Sequence, residues 1–126
     1  MSVCRGEILL LSVLPEAHRE MVHALRLNGI TVRAPHPRAT RRAFGGRTDV
    51  ILVDLVHGAG LTREMVAALN RRRGRAMVVA LHEGVLGPRP DEASDLVVEG
   101  FCRSTDWRPL VRALVGHEGT GASRPH

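Results

Sequence analysis

Four aliphatic residues in a row, Val50-Ile51-Leu52-Val53, end in a carboxylate, Asp54, and leave this chain few architectures to choose from. The run has no polar face, as expected of a strand buried on both sides in a parallel sheet. Such a strand needs helices above and below it, which points to a layered α/β domain. A glycine-containing loop, His57-Gly58-Ala59-Gly60, then leads into a helical pattern. A carboxylate at the C-terminal end of a central parallel strand stands where open α/β sheets place their ligands.

The rest of the chain repeats the alternation. Glu7 to Val13 reads as a first buried strand. Pro15 opens a helix with Ala17, Met21, Val22 and Leu25 on its inner face, and Gly29 closes it. Ile30 to Arg33 is a short edge strand. Pro35 to Gly46 packs a short helix at most, with Arg38, Arg41 and Arg42 outward. After the central strand, Thr62 caps a helix carrying Leu61, Met65, Ala68 and Leu69 and ending at Arg71-Arg72-Arg73. Ala76 to Leu81 is a fourth strand. Pro88 and Pro90 shorten or remove the helix expected between Glu83 and Asp95. Leu96 to Val98 is a fifth strand, and Ser104 or Thr105 caps a last helix with Trp107, Leu110, Val111 and Leu114. The expectation is one domain over residues 1–116, followed by a disordered polar tail over 117–126. Right-handed crossovers between the strands give a five-stranded parallel sheet of order 2-1-3-4-5 with helices on both faces. That order places Ser12 and Asp54 at one crevice.

Composition removes several classes. All eighteen basic residues are arginine, so no lysine ammonium is available for chemistry. The net charge of +5 is dispersed and reads as a solvated surface. Cys4 and Cys102 have no second cysteine or histidine at ligand spacing, so free thiols in a reducing compartment are expected. No secretion signal and no membrane-length apolar segment is found, so the expected location is the cytoplasm.

The five βα units, the strand VILVDL ending in Asp54, the loop behind it and the stretch DLVVEGF resemble a CheY-like receiver domain of two-component response regulators. The resemblance implies that Asp54 occupies the phosphoryl-acceptor position. It also implies where this chain departs from the family. Two acidic residues that hold Mg²⁺ after strand one are replaced by Ser12 and Val13, and the hydroxyl residue after strand four by Ala80-Leu81. The strand-five lysine aligns with Glu99 and the switch aromatic with Leu96. Phosphoryl transfer needs charge neutralised by a divalent ion and a cation. Glu99 beside Asp54 would repel phosphate, and Glu16, the substitute metal ligand, lies within the predicted helix.

The expectation is therefore an atypical, degenerate receiver with no catalytic residue and no cofactor. It would act without phosphorylation through protein contacts, with transcription regulation among the outputs. Its partner, or a second copy of itself in a homodimer, would dock on the last strand and helix through Leu96, Trp107 and Val111; for Trp107 a place in the core stays equally open. Three alternatives stand beside it: a conventional phospho-acceptor at Asp54, an arginine-driven nucleic-acid binder, and a flavodoxin-like small-ligand domain. His57 and His82 mark the rim where a ligand would sit, although no hydrolase or metal-site spacing joins them to Asp54 and Ser12. The nucleic-acid reading lacks a recognition motif and stacking aromatics.

Overall fold

The computed structural model describes residues 7–35, 48–72, 76–83 and 96–114. The expected short helix of the Pro35–Gly46 stretch, the shortened fourth helix, the tail over 117–126 and much of the arginine clusters lie outside the described residues.

Five strands pair in the order β2-β1-β3-β4-β5, all parallel. They are β1 (Glu7–Leu11), β2 (Thr31–Arg33), β3 (Thr48–Asp54), β4 (Met77–His82) and β5 (Gly100–Arg103). The described helices are α1 (Arg19–Leu27), α2 (Arg63–Arg72) and α3, which covers residues 108–114. A 3₁₀ turn, Pro15–His18, joins β1 to α1.

Strand periodicity sorts the aliphatic residues into two layers. Ile8, Leu10, Val50, Leu52, Val79 and Leu81 face α1 and α3, where they meet Met21, Val22, Leu25 and the partly buried Trp107. Leu9, Leu11, Ile51, Val53 and Val78 face the other way, onto Leu61, Val66 and Leu69 of the α2 unit. The sheet is thus covered on both faces, which explains why its central strands carry no polar face. Among the described residues no helix is long and apolar enough to cross a membrane.

The element ends follow local chemistry. The Thr62 hydroxyl accepts the Met65 N–H at 3.1 Å, the N-cap expected from the sequence. At the end of α1, Gly29 has φ 81°, and the Ile30 N–H reaches back to the Leu25 carbonyl. This is a Schellman closure, which a residue with a Cβ adopts only under strain.

Three expectations shift. Ala17 is exposed, and the inner-face position it was given belongs to His18. The fifth strand is not Leu96–Val98 but Gly100–Arg103. Leu96 plugs the core and the Val97 N–H bonds to the Asn70 side chain, so this apolar run spends its backbone outside the ladder. Ladder pairing starts only around Glu99, whose N–H donates to the Val78 carbonyl. The last helix likewise starts at residue 108, beyond Ser104 and Thr105, and the Ser104 N–H bonds to the His82 carbonyl instead of capping.

Candidate functional site

Asp54 ends β3 at the C-terminal edge of the sheet, on the α1 side, and is wholly buried at 0% exposure. Five donors converge on its carboxylate. Oδ1 accepts the N–H groups of Val56 and His57 at 2.8 and 3.0 Å. Oδ2 accepts the Ser12 hydroxyl at 2.7 Å and meets His18 Nε2 at 2.8 Å and His57 Nδ1 at 3.2 Å. An ionised carboxylate can only accept, so both imidazoles carry a proton on the nitrogen that faces it.

Each donor is placed by a local feature. The two N–H groups fold back on Asp54 as in an Asx turn, and the loop then runs through Gly58 and Gly60, at φ 104° and 68°. The Gly58 carbonyl accepts the Val13 N–H at 2.9 Å, tying this loop to the end of β1. Ser12 also accepts the Leu14 N–H at 2.9 Å, so its hydroxyl is fixed from both sides. The 3₁₀ turn opened by Pro15 then rotates His18 inward, where it is 5% exposed. The His18 and His57 rings meet edge to face with centroids 5.6 Å apart.

Burial is the largest influence on the Asp54 carboxyl and pushes its pKa upward. The bonds from His18, the His57 N–H, Ser12 and the Val56 N–H together outweigh it and hold the group well below the usual carboxylate range. Asp54 is therefore a buried carboxylate held in its ionised form by the donors around it.

His18 was not read from the sequence as a site residue. A signal existed: His18, Met21, Val22 and Leu25 follow the i, i+3, i+4, i+7 spacing of one helix face. A search for apolar residues alone passes over it.

Of the expected pocket positions, Ser12 and His57 reach Asp54, and Val13 takes part through its backbone. Glu99 does not. Its Oε1 accepts the Val78 N–H at 3.0 Å. Val78 precedes by three residues Leu81, the residue in register with Asp54. At about 3.3 Å per residue, Glu99 lies about 10 Å from the pocket edge. It therefore exerts no repulsion there, and the residue that ends β5 is Arg103. The row beside Asp54 runs through Leu81 to Cys102. Ala80 is in register with Val53 and is buried.

The other assignments divide. His82 stands apart from the cluster, with its ring against Phe101 at a 6.2 Å centroid distance. Glu16 is exposed on the 3₁₀ turn while His18 turns in. Leu96 is 2% exposed and so belongs to the core and not to a partner face. Trp107 and Val111 are partly buried and pack against the α1-side layer.

The arrangement limits the chemistry. Ser12 and His18 both bond Asp54 Oδ2 instead of forming a relay in which the imidazole holds the hydroxyl, so a hydrolase triad is not assembled. His18, Asp54 and His57 do present three ligand-capable atoms within 4.8 Å of one another. The sequence places His57 and His82 at this rim without a metal-site spacing that joins them to Asp54; in the fold it is His18, and not His82, that meets Asp54 and His57.

No protein-family model and no curated protein matches the sequence. Solved structures do match in shape. The receiver domain of a sensor histidine kinase from Pseudomonas aeruginosa, with magnesium coordinated in its active-site cleft, superposes with a TM-score of 0.64 at 19% identity, over 88% of this chain and 98% of that one. The chemotaxis protein CheY4 of Vibrio cholerae gives 0.64 at 18% identity, over 86% and 95%. The N-terminal domain of a response regulator from Carboxydothermus hydrogenoformans gives 0.66 at 17% identity, over 95% and 99%. With five parallel strands in the order 2-1-3-4-5 and helices on both faces, this chain has the CheY-like fold of response-regulator receiver domains.

Proposed function

We propose that the chain is a receiver-like signalling module that works through protein contacts and without phosphoryl transfer to Asp54. One observation carries this reading: the Asp54 carboxylate is fully buried and both its oxygens are taken up by donors. An acceptor carboxylate must present a free lone pair to the phosphoryl donor. Here Oδ2 lies under Ser12, His18 and His57, and Oδ1 under two backbone N–H groups. The charge on the transferred oxygens would also need a divalent ion and a cation close by. Ser12 stands where the resemblance places acidic ligands, and Leu81 and Cys102, the residues in register beside Asp54, offer neither cation nor alcohol.

Contacts to a protein partner or a second copy are assigned to the β5 edge. Phe101 is 56% exposed there, beside Met77 at 49%, in a groove that continues to Leu110 and Ala113 of α3.

Intact mass after incubation with acetyl phosphate and Mg²⁺ tests the phosphorylation part. Wild type and Asp54→Asn should both remain unmodified. A phosphoryl adduct on wild type that disappears in Asp54→Asn would show a working acceptor and overturn the proposal.

A further inference from the structure

We infer that His18 Nε2, Asp54 Oδ2 and His57 Nδ1 form a binding site for a divalent transition ion of the zinc class. This inference stands apart from the signalling proposal, because metal uptake and phosphoryl transfer are read by different measurements.

Three separate segments deliver the ligands: the 3₁₀ turn after β1, the last residue of β3, and the loop behind it. The three atoms lie within 4.8 Å of one another, with Oδ2 at 2.8 Å from His18 Nε2 and 3.2 Å from His57 Nδ1. Ligands bound at about 2.0–2.1 Å around a tetrahedral ion stand about 3.3 Å apart. The His57–Asp54 spacing already meets this, the His18–Asp54 spacing needs to open by about half an ångström, and the two ring nitrogens, within 4.8 Å of one another, need to close by at most about 1.5 Å.

The donor chemistry selects the ion. Two imidazoles and one carboxylate suit zinc, cobalt, nickel, copper or iron(II). Magnesium takes oxygen ligands in near-octahedral geometry, so this donor set does not fit the ion that a receiver resemblance implies. The surroundings are those of a metal ligand set. The Val56 and His57 N–H groups hold Oδ1 and so aim Oδ2 inward, as outer partners orient ligating carboxylates. Access is through His57, whose side chain is 36% exposed; water would complete the coordination from that side.

Each imidazole exchanges an N–H···Oδ2 bond for a metal–nitrogen bond. The proton it held there moves to the other ring nitrogen of a neutral ring, or leaves to water where that nitrogen is already protonated. The ion would then pin the loop after β3 to the turn before α1.

Calorimetric titration of the full chain with zinc chloride, alone and against magnesium chloride, tests the site. His57→Ala is the main variant, because the exposed ring can be removed without opening the core. Removing only a group that hydrogen-bonds to a metal ligand costs about 10–100-fold in metal affinity. Losing a ligand should therefore weaken zinc binding by at least about tenfold. One saturable zinc per chain, weakened in this way and not displaced by magnesium, supports the site. A second readout is cobalt(II): its visible ligand-field bands should be intense in wild type and collapse in His57→Ala. Absence of saturable uptake, affinity unchanged in His57→Ala, or displacement of zinc by magnesium would each overturn the inference. A phosphoryl adduct on Asp54 would overturn the signalling proposal without touching this result.

Discussion

Removing the Asp54 carboxylate should damage the fold more than any change of charge at the surface, and the cost can be worked donor by donor. In Asp54→Ala the Ser12 hydroxyl and the His18 ring N–H, 3% and 5% exposed as residues, are left facing a small void. Each buried donor without an acceptor costs about 1–3 kcal/mol. The Val56 and His57 N–H groups and the His57 ring are only part-buried, so water replaces much of what they lose. Against this stands relief from burying an ion, which offsets a part of the loss. A net destabilisation of about 3 kcal/mol follows. Asp54→Asn should cost about 1 kcal/mol. Its amide oxygen still accepts the two backbone N–H groups, while its nitrogen donates to His18 in the other tautomer and Ser12 rotates to accept. Urea unfolding of the three proteins measures this directly, as a shift in midpoint at constant m-value. If Asp54→Ala lost less than about 1 kcal/mol, or no more than Asp54→Asn, the five donors would not depend on the carboxylate. The closed-pocket reasoning would then fail.

Two further outcomes are expected. Folding lowers the Asp54 pKa below its ordinary value of 3.8, so its contribution to stability is complete above that value and is lost as the pH falls toward the folded-state value. Melting temperature should therefore drop more steeply in wild type than in Asp54→Asn between about pH 4 and about pH 2, and parallel curves would refute the assignment. Self-association measured by sedimentation should weaken in Phe101→Glu, which puts a charge on the exposed β5 edge without touching the core. If wild type self-associates and the variant does so equally, the contact face lies elsewhere.

Most of the architecture was legible because the chain is patterned simply. Continuous aliphatic runs with no polar face mark strands of a doubly covered sheet, and Asp54 after such a run fell at the crevice. The fifth strand was misplaced for a physical reason. Leu96 to Val98 is apolar because Leu96 is buried in the core layer that holds Leu61, Val66 and Leu69, while the ladder is built by Gly-Phe-Cys-Arg, which has no strand-like pattern. Glu99 then inherited a false position next to Asp54. The site was half visible. Ser12, Asp54 and His57 follow from strand ends and loop position. His18 does not, because its role depends on a turn that converts a polar residue into the first member of an apolar helix face. Distance in sequence hides the cluster further, with 36 residues separating His18 from Asp54.

The hydrogen bond between Ser12 and Asp54 closes a segment of 42 residues, and the Val13–Gly58 bond closes a slightly longer one. Loops of this length cost entropy before any contact compensates, so contacts of this kind slow folding relative to local ones. The α1–β2 unit lies wholly inside the closed segment and needs no such closure. The expected order is that α1 with its Gly29 turn forms early and that the pocket is sealed as β1 docks beside β3. Protection of the Leu14 and Val56 amides, both bonded to side chains of the cluster, thus serves as a clock for the last stage of folding.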